Sequence, residues 1–240
     1  MKIRFIGTGA AVNSSMAGAS ILVDDKLLVD SHPGCASNLR RYNVNLSELE
    51  CICITHLHGD HYFGLPILLM QYNLHARDSA LFILGHEDLR AKTAELLKLG
   101  FPDVDSEKVF ELSKAKFQTP NIGASYNCFG EIFVEPLIAR HSVPTFGYLI
   151  TDNEKHIYYS ADTAAFDEMN QYISFCDIII LDATTKDAEV NGHMSLSRID
   201  KLAEQYPDKV FFANHRGDYE VEELSSVNII LPADGDEFSF

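Results

Sequence analysis

Seven residues, Thr55-His56-Leu57-His58-Gly59-Asp60-His61, place three imidazoles and a carboxylate directly after the short apolar run Cys51-Ile52-Cys53-Ile54. That run is β-prone and reads as a buried strand. It delivers the His/Asp cluster to a sheet edge, where the chain turns before entering a helix. Neutral imidazoles and carboxylates are the donors that a zinc-like divalent ion takes, and four of them this close repel or desolvate one another unless a cation joins them. A chain that hosts this segment therefore needs strand ends that converge, and further candidate ligands stand where later strands are expected to end. His141 follows the strand ending Leu137-Ile138-Ala139, Asp162 follows Ile157–Ala161, His193 precedes a predicted helix, and His215 follows Val210–Ala213. Convergent side chains at strand ends on one edge of a sheet are a common way to build a site.

Strands come first, then α and β alternate, and the second half repeats that order. Lys2–Ile6, Ser20–Val23 and Lys26–Val29 read as antiparallel strands, the last hairpin turning at Asp24-Asp25. Helices are expected over Cys35–Tyr42, Gly64–Asn73 (with Pro66 in the first turn, where proline is tolerated), Glu87–Leu99 ended by Gly100, and Ser195–Gln205 behind a serine cap. The remaining strand candidates are Ala80–Leu84, Phe110–Leu112, Lys116–Gln118, Ile132–Leu137, Gly147–Thr151, His156–Tyr159, Cys176–Leu181 and Val210–Ala213. No linker, low-complexity segment or short repeat interrupts this order. The expectation is one α+β domain over residues 1–240, with two sheets packed together and helices outside. Gly7-Thr8-Gly9-Ala10-Ala11-Val12 resembles the start of a dinucleotide fingerprint, but it lacks the third glycine and runs into Asn13-Ser14-Ser15 rather than a helix. It is expected to be a tight loop near the site.

Charge narrows the partners. Lys and Arg number 19 against 35 acids, a formal charge of −16, and no dense basic run occurs. A nucleic-acid surface needs basic patches to displace counterions, so a polynucleotide substrate is disfavoured and a small molecule favoured. The N-terminus moves straight into a strand pattern without an apolar leader, and no apolar stretch reaches the length of a membrane span. Five cysteines, an odd number scattered through apolar segments, read as reduced and buried, which suits the cytoplasm. The apolar helix at Leu65–Leu74 is a candidate face for a homodimer.

Four stretches together resemble the metallo-β-lactamase superfamily, and within it the ribonuclease Z-like phosphodiesterase branch. They are Thr55–Pro66, His141–Tyr148, Ser160-Ala161-Asp162-Thr163, and Leu181-Asp182-Ala183-Thr184 with Gly192-His193-Met194-Ser195. The resemblance implies an αββα sandwich of two mixed β-sheets, and two divalent metal ions. Zinc is the expected metal, with manganese or iron as alternatives. His56, His58 and His141 would hold the first ion, Asp60, His61 and His215 the second, and Asp162 would bridge them beside a water or hydroxide nucleophile. The catalytic residues implied are Asp60, His193 and Asp182, with His193 unligated near the leaving group and Asp182 orienting it. Asp30 is a further candidate behind the ligands. Asp162 stands where true β-lactamases use cysteine, which argues against antibiotic hydrolysis. His58 stands where diiron flavoproteins use glutamate, which argues against oxygen or nitric oxide reduction.

Three departures bear on substrate. Ribonuclease Z enzymes grip tRNA with a long arm between the positions matching His141 and Asp162, and here about twenty residues separate the two, sufficient for two strands and a turn. His215-Arg216-Gly217-Asp218 replaces a His-Phe-Ser type run, and Val29-Asp30-Ser31-His32-Pro33-Gly34 replaces an Asp-Cys-Gly type turn, adding His32 near the site. These undercut tRNA maturation and leave the dinuclear hydrolase intact. The expected function is a metal-dependent phosphodiesterase acting on a small phosphodiester such as a cyclic nucleotide. The alternatives are a tRNA 3′-processing endonuclease, a hydrolase of a carboxylic ester, thioester or lactone, and a silent metal-stabilised interaction protein.

Overall fold

Apolar residues fill both faces of the central strands, as they do when a sheet is covered on each side. The computed structural model describes residues 1–13, 15–72, 77–221 and 223–240. The first sheet contains, in chain order, β1 (Lys2–Gly7), β2 (Ser20–Val23), β3 (Leu27–Val29), β4 (Cys51–Cys53), β5 (Leu81–Leu84) and β6 (Ala115–Gln118). The second runs β7 (Tyr126–Phe129), β8 (Ile132–Ile138), β9 (Phe146–Thr151), β10 (His156–Tyr159), β11 (Ile178–Asp182), β12 (Val210–Asn214) and β13 (Ile229–Ile230). A last strand, β14 (Glu237–Ser239), returns to pair antiparallel with β1 on the outer edge of the first sheet. Each sheet is antiparallel at one end and parallel at the other: β3 to β6 in the first, β10 to β13 in the second.

Alternation sorts the side chains. Cys51 and Cys53 of β4, Ile21 and Val23 of β2, and Leu27 and Val29 of β3 point into the core shared with the second sheet, where they meet Tyr148, Ile150, Ile157 and Phe212. Leu22, Leu28 and Ile52 point outward, beneath α1 (Cys35–Arg41), α3 (Leu65–Gln71), α4 (Leu89–Gly100) and α5 (Ser106–Leu112). On the far side α6 (Met169–Phe175) and α7 (Leu196–Gln205) cover Tyr158, Ile179 and Phe211. The result is the expected αββα sandwich of mixed sheets, the metallo-β-lactamase fold. The β2–β3 hairpin turns at Asp24 and Asp25, with φ of 49° and 58°, the left-handed pair whose twist matches the flanking strands.

Several local expectations are corrected. Phe110–Leu112 closes α5 and is not a strand: Asp105 caps that helix by accepting from Glu107 N, and Val109 and Phe110 are its buried face. Gly100 is the last residue of α4 rather than its stop, and Cys176 caps α6 instead of opening β11. The helix expected over Gly64–Asn73 is α3, and residues 73 and 74 of that helix and of the proposed dimer face lie outside the described residues. Leu65, Leu68 and Leu69 of α3 are buried within the chain. Gly7-Thr8-Gly9 forms a loop, as expected, with Gly9 bridging to Gly18 and Arg216. A Cβ at Gly7 would stand 2.1 Å from Gly18 O, so only glycine permits that approach.

Candidate metal centre

The strand ends that carry the His/Asp residues lie together at one end of the two sheets. Beyond β4 the chain runs extended through Thr55 to His58 and enters α2 (Gly59–Tyr62), whose first turn presents Asp60 and His61. His141 follows β8, Asp162 follows β10, Asp182 is the last residue of β11, and His215 follows β12. His193 sits in the loop before α7, whose N-cap Ser195 accepts from Arg198 N. Asp30, Ala161 and His215 have φ of 62°, 56° and 52°. Left-handed backbone at non-glycine residues costs free energy, and here it marks the places where the chain bends side chains inward.

Two groups of donors share one carboxylate oxygen. His56 Nε2 and His141 Nε2 lie 3.0 and 3.1 Å from His58 Nδ1, and 3.8 and 3.9 Å from Asp162 Oδ2. In the second group His61 Nε2 and His215 Nε2 lie 3.2 and 3.3 Å from Asp60 Oδ2, and each is 3.4 Å from Asp162 Oδ2. Donors bound to one ion at about 2.1 Å in a tetrahedral shell stand about 3.4 Å apart, which is the spacing found. His61 Nε2 is buried and makes no hydrogen bond among the described residues. An orphaned buried nitrogen and lone pairs turned toward one another fit a cation, so this donor set fits a divalent ion at each group.

The outward nitrogens explain why the rings face inward. His61 Nδ1 donates to Asp30 Oδ2 at 2.9 Å, and His56 Nδ1 is 3.0 Å from Thr55 Oγ1, which in turn donates to Asp30. Thr55 N also donates to Asp30, at 2.8 Å. The second sheet repeats the device: Thr184 Oγ1 donates to Asp182 Oδ1 at 2.6 Å and faces His215 Nδ1 at 2.8 Å. Asp182 Oδ2 accepts from His193 Nδ1 at 2.8 Å. His141 Nδ1 contacts Gly192 O at 3.1 Å. Each such bond fixes ring orientation, and for His56, His61, His141 and His215 it lets the inner nitrogen offer a lone pair to a cation.

Electrostatics follow the same pairs. Burial disfavours a charged His193, but the Asp182 hydrogen bond and the negative charges of Asp182 and Asp162 together outweigh it and raise the imidazole above its ordinary pKa. Burial also opposes charge on Asp182, yet His193 and His215 hold the carboxyl below the usual range. His215 is likewise pulled up against burial, to about 10, chiefly by Asp162.

The sequence-based site residues His56, His58, Asp60, His61, His141, Asp162, Asp182, His193 and His215 are thus all within this one cluster. Asp30 lies directly behind it. His32 is buried beside it, with Nδ1 accepting Gly34 N–H at 3.1 Å and burial holding the ring neutral down to about 4. Arg216 is turned away, donating to Pro232 O at 2.6 Å. Sequence reasoning gave no role to Thr55 or Thr184. A threonine immediately before His56, and another two residues after Asp182, was the available signal.

The family model described as "Anti-Pycsar protein Apyc1" matches residues 1–228. Ribonuclease Z of Metallosphaera sedula is 31% identical over 159 residues, covering 64% of this chain and 50% of that protein. The chain spans about half the length of the curated relatives it matches. Among solved structures, human tRNase Z short form (ELAC1) superposes with a TM-score of 0.79 at 22% identity, over 100% of this chain and 99% of that one. The metallo-β-lactamase fold protein YhfI from Bacillus subtilis gives 0.78 at 19% identity, over 99% and 98%.

Proposed function

The chain belongs to the Anti-Pycsar protein Apyc1 family, in the ribonuclease Z-like branch of the metallo-β-lactamase superfamily, and from that premise we propose a metal-dependent hydrolase with a dinuclear site that cleaves a small phosphodiester such as a cyclic nucleotide. The observation that carries the reading is Asp162 Oδ2, which lies within 3.9 Å of four imidazole nitrogens drawn from both donor groups. His56, His58 and His141 would hold one cation and Asp60, His61 and His215 the other, with Asp162 within reach of both. When bound, such a pair supplies Lewis acidity that activates water near neutral pH and offsets the charge of a phosphoryl transition state. The metal is proposed as zinc, since neutral imidazoles and carboxylates at tetrahedral spacing suit it.

The chain's own residues supply position and protons. Asp60 and Asp162 present negative edges that orient an attacking water. His193, held by Asp182 and unused by either donor group, delivers a proton to the departing oxygen. The thiols of all five cysteines are free, in keeping with a reducing cytoplasm. No helix among the described residues is long and apolar enough to cross a membrane.

Purified protein reconstituted with zinc is expected to retain two ions, to hydrolyse bis-p-nitrophenyl phosphate and cyclic nucleotides, and to leave thioesters intact. Thioester cleavage with no phosphodiester cleavage would reverse the proposal. A tRNA 3′-processing reading is favoured by the identity to ribonuclease Z. Against it, β9 and β10 are joined by the tight turn Asp152–Lys155, which leaves no room for an RNA-gripping arm between His141 and Asp162. Pre-tRNA cleavage that falls steeply with added salt is the result that would favour RNA.

Asp30→Asn tests the supporting network. The amide keeps the volume but cannot accept from His61 and Thr55 together as a carboxylate does. Metal affinity is expected to fall by about 10–100-fold, the usual effect of losing such a partner, measured by competition with a chromogenic chelator.

A further inference from the structure

Three thiols converge between the two sheets and take no part in the metal centre. The sulfurs of Cys51, Cys53 and Cys128 all lie within 4.8 Å of one another. Cys51 Sγ of β4, in the first sheet, is 3.0 Å from Cys128 Sγ of β7, in the second. A disulfide needs about 2.05 Å, so an approach of about 1 Å joins them. β7 has the freedom to supply it. It is the edge strand of its sheet, and its register against β8 shifts at this point: Asn127 faces Phe133 and Phe129 faces Ile132, leaving Cys128 opposite no residue. Such a bulge bends the strand and re-aims a side chain, and here it turns Cys128 into the core.

Geometry also selects the partner. Cys51 and Cys53 share one face of β4, but two steps of extended strand set them roughly 7 Å apart. Bridged cysteines need Cβ atoms about 3.8 Å apart, so those two cannot pair and any link must cross the sheets. Cys35 and Cys176 lie in the outer layers, in different clusters. Access selects the order: Cys128 is 5% exposed at the sheet edge, and Cys51 and Cys53 are sealed at 0%. Hydrogen bonds from the Cys51 and Cys53 thiols hold Cys128 below the usual thiol range, so it is the first to become a nucleophilic thiolate. A soft cation held by all three sulfurs is the competing reading. It would bury net negative charge among Ile132, Val134 and Ile150, whereas a disulfide is neutral.

We infer that Cys128 and Cys51 form a peroxide-responsive disulfide that staples the first sheet to the second. The Cys128 thiolate attacks one oxygen of hydrogen peroxide, the O–O bond breaks, and the departing hydroxide takes a proton to leave as water. Cys51 then attacks the sulfur of the resulting sulfenic acid. The S–O bond breaks as the S–S bond forms, and the Cys51 proton leaves with hydroxide as a second water. The two thiols give up two electrons, and the peroxide takes them. Zinc-loaded protein is treated with hydrogen peroxide, denatured, alkylated and mapped by mass spectrometry without reduction. Alkylatable thiols are expected to fall from five to three. The Cys51 and Cys128 peptides should be joined within one chain, and dithiothreitol should restore all five thiols. The link should raise the melting temperature by at least about 4 °C. Cys128→Ser should lose none of its remaining thiols to peroxide, while Cys35→Ser should still lose two. Five retained thiols, Cys128 found only as sulfinic or sulfonic acid, a link joining two chains, or a link that leaves the melting temperature unchanged would each overturn the inference. So would copper(I) bound one per chain, released by Cys128→Ser, with no disulfide formed. Mapping of the unaltered chain carries the result even if Cys128→Ser fails to fold.

Discussion

Asp162→Asn is expected to lower phosphodiester hydrolysis by about a thousandfold or more and to reduce bound metal from two ions to one or none. The residue is 2% exposed, and its Oδ2 is the one atom common to both donor groups. Asparagine preserves the volume, so the fold is kept, but a neutral amide cannot offset two cations in a buried site. Losing several kcal/mol of charge stabilisation corresponds to that rate factor. Elemental analysis after dialysis reads the metal, and initial rates on bis-p-nitrophenyl phosphate read the chemistry. Two retained ions and a rate within tenfold of the parent would mean that Asp162 is not the shared ligand.

His193→Ala separates chemistry from metal binding. The ring is held by Asp182 at 2.8 Å through Nδ1, the same atom that lies 3.9 Å from Asp162 Oδ2, so that nitrogen is engaged by a carboxylate rather than offered to a cation. Metal content should be unchanged. Turnover of a cyclic nucleotide, whose leaving alkoxide needs a proton, should fall by about 10²–10⁴-fold, the range for losing a general acid. Hydrolysis of a nitrophenyl ester, whose leaving group departs without a proton, should fall far less. Loss of one ion in His193→Ala would make the residue a ligand, and equal losses on both substrates would remove the acid role.

The parts legible in the sequence were those whose signal is local. The Thr55–His61 run is dense enough to imply a cation by itself, and the apolar β4 before it fixes where it must emerge. Ser195 before Leu196 is a helix start readable from one side chain, and the Asp24-Asp25 turn from two. What was missed depends on distant partners. Asp105, Ser106 and Glu107 begin a helix, yet the apolar Val109-Phe110 pair reads equally well as a strand end until α5 is seen lying on the first sheet. α6 lacks a capping side chain, and β14 is three residues long, defined only by β1 beside it. Thr55 and Thr184 are ordinary threonines until Asp30 and Asp182 stand behind them.

Asp60 and His215 are 155 positions apart in the chain and 3.3 Å apart in space. Bringing such distant segments together is slow and entropically costly, and nothing at the cluster rewards it until both sheets have docked. A partly folded chain therefore has no complete donor cluster to offer, whereas the finished one does. An ion captured there inspects the product of folding rather than guiding it. By mass action it then favours the correctly assembled molecule alone, a clasp that closes only on a garment already fully put on.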